Sequence, residues 1–287
     1  MRHLRSEGLD KYPIGMVCRV LGISRSVYYQ RSKKPETPKD EADSRLKETI
    51  AELFKENHEE YGRIRMQKAL RAKGYRLSQG KIRRLMKEAR LVPKKARKYK
   101  ATTNSKHSYP VAENLLNREF SAEKPNQKWC GDSTYIWTEE GWLYVAGIID
   151  LYAKDCVGLA FSSKHTQELM LEALRNAVKK YRPDKGLLHH SDRGVQYASN
   201  AYKAELKKNG MIQSMSRSGV PYDNAPMESF WATVKAGCVE GRRFRTRHEA
   251  EMVIFQYVFG FYNTRRYHTS DDLMTPNEYR AAYEKAA

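Results

Sequence analysis

The stretch QKWCGDSTYIWTEEGWLYVAGIIDLYAKDCVGLAFSS, which begins at Gln127, constrains the fold of this chain more than any other segment. It is three runs of β-branched and aromatic residues, divided by Glu139-Glu140-Gly141 and by Tyr152-Ala153-Lys154-Asp155. Such side chains fit a pleated, half-buried surface, and the breaks are short enough for hairpins, so three antiparallel strands are predicted near 129–138, 142–150 and 155–162. A helix follows at 166–181, with Leu169, Leu171, Leu174, Ala177 and Val178 as its apolar set. Leu187-Leu188-His189-His190 reads as a fourth strand, Ala198–Asn209 as a helix, Met211–Met215 as a fifth strand and Asn224–Gly237 as another helix. The order βββαβαβα combines a meander with crossover units, which is an α/β arrangement. The tail is helical: Thr246-x-x-Glu249 and Thr275-Pro276-Asn277-Glu278 are capping-box patterns, and a helix over 247–262 carries Val253, Ile254, Tyr257 and Phe261.

The first hundred residues are of a different kind. The 287-residue chain has 53 Lys and Arg against 34 Asp and Glu, a net charge of +19, and that charge is uneven. Residues 1–100 hold 28 basic and 12 acidic side chains, and residues 61–100 hold 16 basic and one acidic. A basic segment beside a near-neutral body points to a polyanion, most simply nucleic acid; the plain alternative is a solvated basic surface. No apolar run approaches the ~20 residues of a membrane span, and MRHLRSEGLD lacks the apolar core of a signal peptide, so a cytosolic protein with no membrane partner is expected. Cys18, Cys130, Cys156 and Cys238 are far apart and form no zinc-ribbon or disulfide pattern, and they read as buried thiols.

Within the basic part, Ile14, Val17 and Leu21 mark one helix face, and Gly22-Ile23-Ser24 supplies a turn and an N-cap for the next helix. Residues 31–40 (RSKKPETPKD) read as a linker, and a helix is expected from Glu41 to Asn57 with Leu46, Ile50, Leu53 and Phe54 inward. A second helix-turn-helix pattern follows. Ile64, Ala69 and Leu70 serve its first helix, Ser78 caps its second, and Ile82, Leu85, Met86 and Ala89 face inward. Lys81, Arg83, Arg84 and Lys87 are left outside, as suits a helix laid in the major groove. Residues 93–127 read as a connector with a short helix near Asn114–Phe120. The expected division is therefore a small helix-turn-helix-like segment at 1–34, a DNA-binding domain at 35–100, a basic linker at 101–124 and a catalytic domain at 125–287.

Three acids fall at informative places in this order. Asp132 lies within the first strand, Asp192 directly after the fourth, and Glu228 in the last core helix, with thirty-five residues between the last two. If strands one and four lie side by side, the two aspartates meet, and like charges that close raise one carboxyl's pKa unless a cation neutralises them. Oxygen donors suit Mg²⁺ or Mn²⁺, and two ions ~3.5–4 Å apart serve phosphodiester chemistry. Lys235, seven residues after Glu228, falls two turns on along the same helix face, placed to hold a phosphate. Asp150 as a turn starter and Asp223 as an N-cap are ordinary readings of neighbouring acids, and composition alone does not rank the three acids above them. His189 and His190 point to opposite faces of a strand and so do not share one metal. Cys130 and Cys238 lack the His and Asn partners of a thiol nucleophile.

Taken together, LGISRSVYY, YGRIRMQKAL…KIRRLMKEARL, KWCGDSTYI, HHSDRGVQY, DNAPMESFWATVK and FYNTRRYH…TPNEY resemble the second-frame (OrfB) transposase of the IS-three family of insertion sequences, relatives of retroviral integrases. The resemblance spans nearly the whole chain. It implies an RNase H-like integrase core with a mixed five-stranded sheet, preceded by an all-α helix-turn-helix region. It assigns Asp132, Asp192 and Glu228 to a DDE set holding two divalent ions, usually Mg²⁺. It further implies cleavage at element ends, transfer of a 3′-hydroxyl to another phosphodiester, and action as a homo-oligomer on terminal inverted repeats and target DNA in the nucleoid. An upstream OrfA protein, or an OrfA–OrfB fusion, is an implied partner. Two other activities share these features: a metal-dependent RNase H-like nuclease without strand transfer, and a DNA-binding regulator without catalysis.

Overall fold

The computed structural model describes residues 12–32, 38–94 and 109–286. The chain divides into two compact units, residues 1–49 and 50–287. The first contains α1 (Ile14–Val20), α2 (Arg25–Ser32) and the opening of α3 (Pro38–Glu56). Ser24 Oγ accepts the amide of Val27 at 3.2 Å, as the sequence predicts for an N-cap. Of the predicted apolar face, Ile14 and Val17 are half-buried and Leu21 is exposed, while Cys18, outside that set, is buried. The interval read as a linker is shorter than 31–40. α2 runs through Ser32, and α3 opens on Pro38, whose missing N–H costs nothing in a first turn. Residues 33–37 lie outside the described residues.

In the second unit the end of α3 packs with α4 (Arg63–Ala72) and α5 (Gln79–Glu88) around Ile50, Leu53, Phe54, Met66, Leu70, Ile82, Leu85 and Met86. Ile64, expected inward, is exposed, and Met66 takes its place. Ser78 caps α5 by accepting the amide of Lys81 at 3.3 Å.

The remainder is built on a five-stranded sheet. Its strands are β1 (Lys128–Thr138), β2 (Gly141–Asp150), β3 (Cys156–Ser162), β4 (Leu188–Ser191) and β5 (Ile212–Met215), in the order β3-β2-β1-β4-β5. β1, β2 and β3 form the antiparallel meander, and β4 and β5 add in parallel on the other side of β1. The helices α6 (Gln167–Tyr181), α7 (Val195–Ala198) and α8 (Asn200–Lys208) cover one face. Their core includes Trp129, Ile148, Val157, Leu169, Leu174 and Tyr202. Gly158 lets α6 sit directly on the sheet, since a Cβ there would collide with the Ala173 carbonyl. The other face carries α9 (Ala225–Val234) and α10 (Arg247–Tyr257), and α11 (Pro276–Ala286) is tied to the β2–β3 turn through Arg280, which meets Asp150 and Asp155. Gly147 performs the matching service: a Cβ would stand 2.8 Å from the Trp231 ring of α9.

Three predicted elements come out differently. The stretch 114–120 is not a helix but a turn, in which Asn114 Oδ1 accepts the Asn117 amide at 2.9 Å and Asn117 and Arg118 have positive φ. That local side-chain bond competes with helix formation. The helix read over Ala198–Asn209 is two, because Ser199 is extended and caps α8 through the Tyr202 amide. The helices read to Gly237 and to Tyr262 change character near their ends. α9 gives way to a π-turn at Lys235–Val239 and α10 to one at Val258–Tyr262. The Thr275 capping box closes both ways, Thr275 Oγ1 accepting the Glu278 amide at 3.2 Å and Glu278 the Thr275 amide at 2.8 Å, whereas Thr246 Oγ1 accepts the Glu249 amide at 3.0 Å and Glu249 reaches the Arg245 amide instead. No helix among the described residues is long and apolar enough to cross a membrane.

Candidate active site

Strand register brings the first two acids together. Gly131 of β1 pairs with Ser191 of β4 in parallel, so Asp132 and Asp192 are the next residues of two neighbouring chains. Parallel strands lie ~4.8 Å apart, which sets the two carboxylates side by side. β4 ends at Ser191, and Asp192 turns out of the sheet with its Oδ1 accepting the Gly194 amide at 2.9 Å.

Glu228 arrives from the other layer. Trp231, one turn further along α9, seats that helix over Gly147, the cross-strand partner of Asp132. The start of α9 is tied down as well. Asp223, in the turn before it, is buried and receives Arg217 at 2.9 Å, Arg118 at 2.8 Å and Asn114 at 2.8 Å. The Arg217 hydrogen bonds hold this carboxyl well below the usual range. Asp223 is thus a buried anchor rather than the N-cap considered from sequence. Asn224, the N-cap residue, reaches the Gly131 carbonyl at 3.4 Å.

The electrostatics match this convergence. Asp132 is pushed well above the ordinary carboxylate value, first by desolvation, then by Asp192 and more weakly by Glu228. Lys235 acts on Asp132 in the opposite sense. Burial pulls the Lys235 amine down while Asp132 supports its charge. Lys235 sits where α9 passes into the π-turn, its Nζ 5.6 Å from the centre of the Tyr135 ring. The donor chemistry fits a hard divalent cation, because charge on Asp132 is disfavoured here until a cation offsets it. Among the described residues, no three His, Cys, Asp or Glu side chains are grouped closely enough to hold an ion unaided.

His165 was not singled out by the sequence. It lies between β3 and α6, stacked on Tyr144 with ring centres 5.1 Å apart, and its Nε2 is 2.9 Å from Ser133 Oγ beside Asp132. Gln196 approaches its Nδ1 at 3.2 Å. Burial lowers its pKa against the opposing pull of Asp192. Only folding the β3–α6 turn over β1 brings it there, so no spacing in the sequence announces it.

Other candidates are placed elsewhere. His189 and His190 are buried on opposite faces of β4. His189 Nε2 meets the Tyr202 hydroxyl at 3.0 Å, and His190 lies between Ser214 at 2.8 Å and Ser216 at 3.1 Å. Burial lowers their pKa values to about 3 and about 4. Asp150 is a structural carboxylate that accepts the amides of Tyr152 and Asn126 and the guanidinium of Arg280. The four cysteines are buried thiols, and burial raises Cys130, Cys156 and Cys238 further from ionisation. Lys81, Arg83, Arg84 and Lys87 stand together on α5, which packs on α4 rather than on the sheet. Arg83, Arg84 and Lys87 are exposed and Lys81 is half-buried. At the preceding turn, Arg71 and Arg76 line an open cleft of about 780 Å³.

Residues 122–221 and 209–276 each match families described as "Integrase core domain", and residues 41–99 match an "HTH-like domain". With the 3-2-1-4-5 sheet, this defines an RNase H-like integrase core carrying a helix-turn-helix-like region. Curated relatives are more specific. The "Insertion element IS600 uncharacterized 31 kDa protein" of Shigella sonnei is 43% identical over 94% of this chain and 100% of its own length. "Transposase InsF for insertion sequence IS3A" of Escherichia coli K12 is 34% identical over 94% of both chains. The chain belongs to the IS3 family of insertion-sequence transposases, within the DDE superfamily. Among solved structures, it resembles a chain of the simian T-cell lymphotropic virus intasome at 13% identity and TM-score 0.48, over 80% of this chain and 74% of that one. It also resembles the HTLV-2 integrase catalytic core in complex with magnesium at 13% identity and TM-score 0.42, over 55% of this chain and 98% of that one.

Proposed function

We propose that this transposase binds the ends of its insertion sequence, cleaves one strand there and joins the freed 3′-hydroxyl to a second phosphodiester. The observation that carries this reading is the Gly131–Ser191 pairing, which makes Asp132, within β1, the neighbour of Asp192 just past the end of β4. Asp132, Asp192 and Glu228 are the residues that would hold two divalent ions, Mg²⁺ or Mn²⁺. Such ions supply Lewis-acid charge that activates an attacking oxygen and stabilises a leaving one. The chain's own part is to gather carboxylates from β1, from the turn after β4 and from α9, and to place the Lys235 ammonium beside them for a phosphate oxygen.

Lys81, Arg83, Arg84 and Lys87 would hold element-end DNA from α5, within a DNA-binding domain at 35–100. Residues 1–34 would form a further helix-turn-helix-like segment, 101–124 a basic linker and 125–287 the catalytic domain. The HTH-like match at 41–99 supports the domain at 35–100. A homo-oligomer on paired ends, with an OrfA protein or an OrfA–OrfB fusion as partner, and work on nucleoid DNA in the cytoplasm complete the reading.

The test is Mg²⁺-dependent reaction on element-end DNA with the wild type and Asp192→Asn. Joined products from the wild type alone are expected. Equal activity of the two proteins contradicts the assignment. Products that are only hydrolysed indicate a nuclease, and divalent-independent binding without cleavage indicates a regulator.

A further inference from the structure

Beyond Gly131, β1 leaves β4 behind, and its outward side chains form a strip of aromatic rings. Tyr135 and Trp137 alternate on one face of β1, opposite Tyr144 and Trp142 of β2. Tyr135 and Trp142 meet edge to face with centroids 4.9 Å apart, and Trp137 and Trp142 do the same at 4.9 Å. All three remain open to solvent, at 42%, 59% and 42% exposure. Contiguous exposed rings of this size mark a surface that something covers.

The surroundings define the chemistry of the cover. At the far end of the strip, Thr138 bridges Phe244, and the Glu139 amide donates to the Phe244 carbonyl at 3.0 Å. This pins the loop Gly241-Arg242-Arg243-Phe244-Arg245 to the hairpin, with Arg242, Arg243 and Arg245 exposed and Phe244 buried. Of the acids at the hairpin tip, Glu140 accepts the Arg247 amide at 2.9 Å and Glu139 points to solvent. At the near end, Lys235 lies over Tyr135 and within electrostatic reach of Asp132. The strip therefore runs from Lys235, which links it to Asp132 on the opposite face of β1, to an arginine loop.

We propose that Tyr135, Trp137 and Trp142 form a stacking platform for unpaired nucleobases, with Arg242, Arg243 and Arg245 holding the phosphates of the same strand. Aromatic rings flanked by cations suit single-stranded nucleic acid, because every base offers a π-face once it leaves the duplex and the backbone carries one charge per nucleotide. A duplex hides those faces, so the platform selects strands opened next to the acids. This rests on the reading that Asp132, Asp192 and Glu228 act on DNA.

The experiment uses the full chain and two probes, a short oligothymidine and a blunt duplex, read by tryptophan emission. Trp129 and Trp231 are buried, so quenching by the oligonucleotide reports Trp137 and Trp142. Trp137→Leu and, separately, Tyr135→Leu should weaken oligothymidine binding about tenfold and leave duplex binding within about twofold, as expected for loss of a stacked base. Thermal melting of each variant shows that it folds. Unchanged oligothymidine affinity in both folded variants overturns the proposal, as does an equal loss on both probes. A Trp137→Leu protein that changes only its sedimentation also overturns it and makes the strip a contact between copies. Asp192→Asn separates the two readings: if it still transfers strands, the acid assignment fails, while the stacking result stands on its own titration.

Discussion

Buried histidines make this fold sensitive to mild acid. Burial holds His189 to a pKa of about 3, His190 to about 4 and His268 to about 2, against 6.5 in an unfolded chain. Between those values the unfolded chain binds protons that the folded chain does not, so stability falls as pH drops below about 6.5. Each such group contributes a slope of up to ~1.4 kcal/mol per pH unit. Urea unfolding at pH 7 and pH 5 should show a clear loss, in a range where carboxylates of ordinary pKa stay ionised. A flat profile between these two values contradicts the buried, neutral assignment. The same residues show what a sequence discloses. Strand alternation was enough to place His189 and His190 on opposite faces. Their partners Tyr202, Ser214 and Ser216 come from a later helix, a later strand and the loop beyond it, and no local spacing points to them. Asp132 and Asp192 were legible because one lies within a readable strand and the other directly after one. His165 was not, because its neighbours Ser133 and Gln196 lie about thirty residues away on either side.

At the scale of elements, the strands were the most legible part, since three aromatic and β-branched runs with two breaks admit few arrangements. Helix ends were the least legible. Ser199 splits one predicted helix, and two π-turns end others, because capping and tertiary packing decide these positions. The docking of the α3–α4 connection onto the C-terminal part also escapes any local pattern, though both of its motifs are visible in the sequence. Glu60 is buried, accepts Arg266 at 2.7 Å and is hydrogen-bonded to the Tyr257 hydroxyl. The Tyr61 hydroxyl donates to the Arg265 carbonyl at 2.7 Å. The HEEYGRIR and FYNTRRYH segments are thus two halves of one clasp. Arg266→Ala strands a buried carboxylate and should lower unfolding stability by about 3–5 kcal/mol in urea titration. A loss under ~1 kcal/mol, the range of exposed pairs, would show the clasp to be solvated. For α5, replacing Lys81, Arg83, Arg84 and Lys87 together with Gln should flatten the slope of log affinity against log salt by about 3–4 units if all four meet phosphates. An unchanged slope moves the phosphate contacts to the Arg242–Arg247 loop.

Over the whole molecule, charge and function are divided. The stretch 61–100 carries 16 basic residues and one acid, while residues 101–287 are near neutral with 25 basic and 22 acidic side chains. Among the described residues of 61–100, Arg83 and Lys87 stay exposed, while Arg84 is offset by Glu88 at 3.2 Å, Lys94 by Glu59 at 3.4 Å and Lys73 by Glu56 at 3.9 Å. The neutral body instead concentrates three acids where β1, β4 and α9 converge, and that convergence leaves Asp132 with a charge that its surroundings oppose. Divalent cations held by the three acids would resolve this conflict. The most direct test is a titration of the full chain with Mn²⁺, followed by the paramagnetic signal of the free ion. The wild type should bind Mn²⁺ saturably and gain thermal stability with it. Asp132→Asn and Asp192→Asn should each lose both effects while remaining folded. Wild-type affinity and stabilisation retained in either folded variant would contradict the account.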